Sequence, residues 1–433
     1  MKLAQYPKYK DSGVEWLGEI PEGWEVKKLK YCDLVIMGQS PDSDDYNTTL
    51  VGLPFLQGNA DFAELHPNPR IWCDTANKLA EIGDILLSVR APIGAVNAAD
   101  QKYGIGRGLC AIRAMNTFQK YLYYVALCLH DELNSIGTGS TYTAVSVDEI
   151  KNVIIPQPPS YKQQSIANFL DHKTAKVDDL IKKNKRLVEL LKEKRQAIIS
   201  NAVTKGLDPK AKMKDSGIEW IGEIPEGWSI RKLKFLASIK LSGVDKKTLD
   251  GELPIKLCNY TDVYKNEFIF EELNFMEATA TENEIAQLTL NKGDVLITKD
   301  SETPDDIAVP AYVKSELRDV LCGYHLARIR ANTKYAVGEY LFRLFCAQGI
   351  REQFTPLANG ITRYGLGKYS IDNSIFPVPT IAEQKIISNF LNQKTARIDD
   401  LTQNIQSQIE TLKEYRQSLI SNVVTGKIKV IES

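Results

Sequence analysis

No cysteine in this sequence has a partner nearby. The seven cysteines (Cys32, Cys73, Cys110, Cys128, Cys258, Cys322, Cys346) are scattered, odd in number and never in CxxC spacing. That argues against a disulfide scaffold or a thiolate zinc site, and for small buried hydrophobes in a reducing cytosol. The four histidines, His66, His130, His172 and His325, are as far apart, so no zinc-ligand spacing exists. Long apolar runs are missing too. The longest candidate, Tyr121–Leu129, falls short of the ~18 residues a membrane span needs. The opening MKLAQYPKYKDSG lacks the apolar stretch of a signal peptide, so the expected location is cytoplasmic. Charge is balanced, with 54 Lys+Arg against 55 Asp+Glu and a net charge of −1. Any contact with phosphate must therefore come from local patches.

Signatures of catalysis are absent as well. There is no GxxxxGK[ST] phosphate loop, since Gly365–Ser370 (GLGKYS) has the wrong spacing. Gly104–Gly108 (GIGRG) is not followed by a helix pattern, which argues against a dinucleotide site. Neither a GxSxG elbow nor HExxH occurs. A base-flipping amino-methyltransferase would need an Asn/Asp-Pro-Pro-aromatic string, and Gln157–Tyr161 (QPPSY) fails at both ends. The carboxylates Asp42, Asp44, Asp45, Asp305 and Asp306 stand in polar loops and read as solvated rather than as nuclease metal ligands. No catalytic constellation and no metal site emerges.

What is present is duplication. Lys10–Lys30 (KDSGVEWLGEIPEGWEVKKLK) returns as Lys214–Lys234 (KDSGIEWIGEIPEGWSIRKLK), identical at 16 of 21 positions. A period above 200 residues exceeds that of any solenoid and means a doubled domain-sized unit. The 433 residues suffice for two or three domains, each with its own core. The match continues with a drifting offset: Gly83–Ser88 with Gly293–Thr298, Cys110–Arg113 with Ala327–Arg330, Tyr121-Leu122 with Tyr340-Leu341. Ile154–Leu180 aligns with Ile375–Leu401 at 14 of 27 identities. The offset grows from 204 to 221, so the second half has gained 17 residues, all in its middle. Similar ends and divergent middles fit a fixed frame that carries two differently tuned recognition surfaces.

Each middle reads as mixed α/β. GDILLSV and GDVLITK are short strands entered through Gly-Asp turns. A helical stretch follows in each half (Tyr121–Leu133; Val337–Ala347), then a small-residue loop (Gly137–Thr143; Asn359–Gly365). A strand stopped by prolines closes each unit at Ile154–Pro159 and Ile375–Pro379. From Tyr161 to Thr204 there is neither proline nor glycine. Leu170, Val177, Asn184, Leu191 and Ile198 are spaced by seven, as are Leu391, Ile398, Ile405, Leu412 and Leu419. Such heptads predict two long helices zipped together, each ~60 Å long, between one and two turns of B-DNA. Asn184 either fixes the register of that seam or lies at its edge. Lys182–Arg195 holds seven basic and two acidic residues, a solvated helix face or a contact for a DNA backbone or an acidic partner.

Four features, in order and twice over, carry a resemblance. They are the opening IPEGW…KL (Ile20–Leu29, Ile224–Leu233), the GDILLS run and its partner, the Gly-Ser-Thr loop near Ser140, and the exit IPxPP…QQxxIAxFLDxKTAKxDxLI leading into a long helix. Over essentially its whole length the chain resembles a DNA-specificity (S, HsdS) subunit of a type I restriction-modification system. The resemblance implies an α+β fold with two similar mixed α/β target-recognition domains, related by pseudo-twofold symmetry and joined by two long antiparallel coiled-coil helices. On this reading residues 1–160 form the first recognition domain, 161–205 the central spacer helix, 206–381 the second recognition domain and 382–433 the C-terminal long helix. It implies a non-catalytic subunit whose domains each bind one half of a bipartite double-stranded DNA target while the helices set the spacer. It also implies recruitment of two methyltransferase (M) subunits and of restriction (R) subunits. No cofactor is expected on this chain, with S-adenosylmethionine, ATP and Mg on the partner subunits.

Base readout favours Arg, Lys, Ser and Thr on exposed loops, while phosphate contacts fix position. The expected DNA-binding residues are Arg90, Arg107, Thr138, Ser140, Thr141 and Tyr142 in the first domain and Lys299, Thr362, Arg363 and Tyr364 in the second. For each, an ordinary surface role is the competing reading. Two other functions compete: a self-sufficient DNA methyltransferase or nuclease with divergent motifs, and a coiled-coil interaction scaffold.

Overall fold

The computed structural model describes residues 4–137 and 144–430. The chain separates into two compact units, Met1–Lys185 with Ser407–Ser433, and Arg186–Gln406. Each unit thus takes the body of one half of the chain, part of its own long helix and part of the other half's.

The first unit opens on an antiparallel hairpin, Tyr9–Asp11 with Glu19–Pro21. Its main sheet has four antiparallel strands in the order Leu34–Met37, Leu109–Arg113, Ile85–Ser88, Val96–Ala98. A second four-stranded sheet holds Ile71–Cys73, Leu53–Leu56, Tyr103–Ile105 and Leu79–Ala80. The run Ile85–Ser88 is buried throughout because it has a core on each face. Ile85 and Leu87 pack with Tyr121, Leu122 and Val125 of helix Gln119–Cys128, while Leu86 faces Leu56, Tyr103 and Ile105 of the second sheet.

The second unit repeats this plan. Its hairpin is Met213–Asp215 with Glu223–Pro225, and its main sheet runs Ala237–Leu241, Leu326–Ala331, Val295–Thr298, Pro310–Val313, Phe268–Ile269. The last of these is a fifth strand with no counterpart strand among the described residues of the first unit. Val295 and Ile297 face helix Gly338–Cys346, and Leu296 faces the three-stranded sheet of Met276–Ala280, Leu253–Cys258 and Val320–Cys322. In each unit the strand that leaves the hairpin pairs with the exit strand, Glu25–Lys28 with Ile154–Gln157 and Ser229–Lys232 with Ile375–Val378. The repeated ends of the sequence are therefore neighbours in space.

Three repeated polar devices explain the repeated residues. Gly83 and Gly293 adopt φ of +90° and +95°, which a side chain resists, and so turn the chain into the central strand. The next residue, Asp84 or Asp294, is buried and forms a two-point ion pair with Arg113 (2.9 and 2.8 Å) or Arg330 (2.7 and 2.8 Å). The buried Tyr121 hydroxyl donates to Pro156 O at 3.2 Å and Val424 O at 3.4 Å; the Tyr340 hydroxyl reaches Pro377 O at 3.2 Å and Val203 O at 3.3 Å. Gln163 accepts from the Phe118 N–H at 2.7 Å and donates to Pro158 O, and Gln384 treats Val337 and Pro379 alike. Buried polar groups that are all partnered specify one packing rather than several.

The two long helices are Ser160–Lys205 and Ile381–Val424. Their buried line follows alternating steps of four and three: Leu170, Thr174, Val177, Ile181, Val188, Leu191 in one, and Leu391, Thr395, Ile398, Ile405, Ile409, Leu419 in the other. Asn184 is half-buried, whereas Leu180, Leu187 and Leu401 are exposed. Within each unit the helix segments run antiparallel. In the first, Asp178 meets Arg416 at 2.8 Å; in the second, Asp399 meets Arg195 at 2.8 Å. The predicted helix Tyr121–Leu133 is instead two, Gln119–Cys128 and His130–Ile136, which meet at Leu129. Among the described residues no helix is long and apolar enough to cross a membrane.

Candidate nucleic-acid interface

In the first unit, two adjacent strands of the main sheet end side by side. Arg107 lies just before Leu109–Arg113 and Arg90 just after Ile85–Ser88, and Val89 N bonds Gly108 O at 2.9 Å between them. The structure brings these two predicted residues to one edge, both exposed. The Arg107 amide donates to Ser40 Oγ at 3.1 Å, and Arg90 pairs through its backbone with Ala144. Both guanidinium groups are free of ion pairs to the described residues, a state that suits contact with phosphate or guanine. Thr138, Ser140, Thr141 and Tyr142 lie outside the described residues. The GIGRG run is a packing device, since a Cβ on Gly108 would stand 2.6 Å from Gln57 O and one on Gly104 2.6 Å from Ala76 Cβ.

The corresponding edge of the second unit has a different chemistry. Lys299 N bonds His325 O at 3.0 Å, the counterpart of the Val89–Gly108 bond. The same alignment places Tyr324 where the first unit has Arg107, and Asp300 where it has Arg90. Asp300 and Ser301 form a two-residue ribbon with Gly365 and Tyr364, as Arg90 pairs with Ala144. Lys299 is folded inward: Nζ donates to Asp300 Oδ2 at 3.0 Å and lies 4.7 Å from the centre of the Tyr324 ring. His325 Nδ1 sits 2.8 Å from the same carboxylate oxygen. Burial alone would push the Asp300 carboxyl up, but the bonds from His325 and Lys299 outweigh it and hold it below the usual carboxylate range.

Around this core lie three tyrosines and an arginine. Tyr324 packs edge-on against His325 at 4.6 Å, Tyr260 stacks on Tyr264 at 5.4 Å, and Tyr264 donates to Asp306 at 2.7 Å. Burial raises the Tyr260 hydroxyl and Asp306 raises it further, while Ser301 and the charge of Arg363 pull it back. The loop Asn359–Gly365 is closed by paired backbone bonds between its ends and presents Thr362 and Arg363 to solvent, with Tyr364 half-buried. Lys299, Arg363 and Tyr364 thus belong to one patch, and Thr362 stands beside it. Sequence reasoning missed Asp300, Tyr324, His325 and Tyr260. Counting back six residues from Arg113 and Arg330 reaches Arg107 and Tyr324, a step that would have found the most exposed of them.

A family model described as the type I restriction modification DNA specificity domain matches residues 21–190 and again residues 225–411. The chain belongs to this family. Among its relatives, the MjaIX type I restriction enzyme specificity subunit of Methanocaldococcus jannaschii is 25% identical over 431 residues, covering 96% of each chain. The EcoKI specificity subunit of Escherichia coli is 21% identical over 433 residues, covering 95% of this chain and 90% of that one. A second M. jannaschii protein, assigned as the MjaX specificity subunit, reaches 39% identity over 188 residues, which is 41% of this chain and 43% of that relative. Of solved structures, a chain from a study of assembly and conformational transition in the type I restriction-modification system superposes with a TM-score of 0.71 at 15% identity, covering 94% of this chain and 98% of that chain. The HsdS subunit of Thermoanaerobacter tengcongensis gives 0.51 at 16%, with the same coverage. At these identities the likeness is one of fold.

Proposed function

We propose that this chain is the non-catalytic DNA-specificity subunit of a type I restriction-modification complex, each of its recognition domains binding one half of a bipartite double-stranded target. The observation that carries the reading is the contrast between frame and edge. The same ion pair, tyrosine and glutamine build both units, yet the matching strand ends present Arg90 and Arg107 in one and Asp300 and Tyr324 in the other. Identical frames suit two copies of one partner, and different edges suit two different half-sites. In this reading residues 1–160 and 206–381 are the recognition domains and the paired helices 161–205 and 382–433 set the spacer. The shared frame docks two methyltransferase subunits, and restriction subunits join that assembly. S-adenosylmethionine, ATP and Mg belong to those partners. Arg90, Arg107, Lys299, Thr362, Arg363 and Tyr364 meet DNA, together with Thr138, Ser140, Thr141 and Tyr142.

The deciding experiment is the methylome of a host strain with and without this gene. A split methylation motif that vanishes on deletion, and of which one half changes when residues 38–153 are exchanged for those of another family member, is the expected result. Methyl transfer by the purified chain alone would refute the non-catalytic role.

A further inference from the structure

The two units differ at a place remote from the strand ends. In the second, the fifth strand Phe268–Ile269 lies along the main sheet, with Tyr312 N bonded to Glu267 O at 3.0 Å. Glu267 turns its carboxylate onto the helices. One oxygen accepts from Arg343 Nη1 at 2.8 Å and the other accepts from Arg195. Phe268 covers this ion cluster, its ring 5.6 Å from that of Phe342.

The first unit has the same backbone step without the side chain that fills it. Ala98 N bonds Leu65 O at 2.9 Å, and Ala98 stands opposite Ile85 as Tyr312 stands opposite Val295. Leu65 therefore occupies the position of Glu267 and contributes no carboxylate. What remains is a cleft of about 580 Å³, lined by Glu64, Leu65, Tyr123, Asp171, Asp178 and Arg416 among others; the Glu64 carboxylate is exposed and forms no ion pair with a described residue. Arg416, the counterpart of Arg195, donates only through Nε, to Asp178. Its Nη groups and the Tyr123 hydroxyl have no partner among the described residues. Lys120 is already held by Asp171 at 2.6 Å.

We propose that this cleft is a docking site for an extended acidic–aromatic segment of a partner polypeptide, whose carboxylate pairs with Arg416 and Tyr123 as Glu267 pairs with Arg195 in the second unit. The chain's own second unit supplies the template for the occupant: a glutamate followed by an aromatic residue, seated against a helix pair. Because that unit plugs its own groove, the site exists once per chain. A partner that uses it binds one unit and ignores the other. The inference stands apart from the DNA reading.

The test uses the full chain and a fluorescent peptide of residues 264–271 (YKNEFIFE). Fluorescence anisotropy should show saturable binding at one peptide per chain. Replacing the first glutamate of the peptide, Glu267, by glutamine removes a charge-assisted bond and should weaken binding about tenfold. Leu65→Glu in the chain places a carboxylate in the cleft and should abolish binding. Tyr123→Phe, which preserves the ring, should weaken it and serves if the first variant does not fold. No binding at millimolar peptide, equal binding of the glutamine peptide, undiminished binding to a folded Leu65→Glu chain, or two peptides per chain would overturn the proposal.

Discussion

Replacing Glu267 by glutamine should loosen the second unit and leave the first intact. Arg343 is 1% exposed, and its guanidinium is held by Glu267, by Asn392 Oδ1 at 2.7 Å and by Thr395 Oγ1 at 3.3 Å. Glutamine keeps one oxygen for one arginine but turns an NH2 group toward the other, so two cations face each other with no anion between them. Breaking a buried pair from one side costs about 3–5 kcal/mol. The Glu267 side chain is 30% exposed, and solvent screening brings the estimate to about 2–3 kcal/mol. For a unit of this size that corresponds to a fall in Tm of about 5–10 °C. Differential scanning calorimetry measures it, and hydrogen exchange of the amides in Gly338–Cys346 assigns it to this unit. A double-mutant cycle with Arg343→Met should give a coupling of at least about 1 kcal/mol, since methionine removes the stranded charge. A Tm change below 1 °C with unaltered exchange in Gly338–Cys346 would refute the reasoning.

Three further outcomes are expected. Arg363→Ala should relax recognition of one half-site only, and Arg90→Ala of the other, each reducing the salt dependence of DNA binding by about one phosphate contact; bisulfite-independent methylation sequencing and salt titration read the two effects. One heptad inserted between Val177 and Leu191 and one between Ile398 and Leu412 should lengthen the spacer by about 3 base pairs with both half-sites unchanged, since seven residues add ~10.5 Å. The Asp300 carboxyl, held below its usual value, contributes stability above the ordinary aspartate range that is lost as pH falls through its folded value. Asp300→Asn should therefore flatten the acid limb of the second unit's melting profile below about pH 4, measured by calorimetry from pH 3 to 6.

The frame was legible because its residues have to recur. Gly83 and Gly293 need left-handed φ, Tyr121 and Tyr340 need paired carbonyl acceptors, and Gln163 and Gln384 fill equivalent polar sockets, so each repeat in the sequence marks a repeated constraint. The heptad reading gave one residue per seven of the seam. The alternate positions include Thr174, Thr395, Arg195 and Arg416, which hydropathy counts as surface: Arg195 and Arg416 bond across the helix pair, Thr174 donates to Leu170 O of its own helix, and Thr395 accepts from Arg343. The edges were less legible for the opposite reason. Tyr324 and Asp300 match Arg107 and Arg90 in place but not in chemistry, and no residue identity survives there to align. Glu267 was invisible in the same way, since only the backbone of its strand is shared with Leu65.

The Lys429 amide donates to Ala4 O at 2.8 Å, and Leu419, Ile420, Val423 and Val424 complete the core that Leu17, Ile20 and Trp24 begin. On the ribosome, the half of the chain made first is thus the half that closes last. Its apolar wall stays open until the final helix emerges, while the second unit, contained within Arg186–Gln406, can finish beforehand. A message cut short after Gln406 would yield one finished unit and one lacking a wall, a product suited to proteolysis.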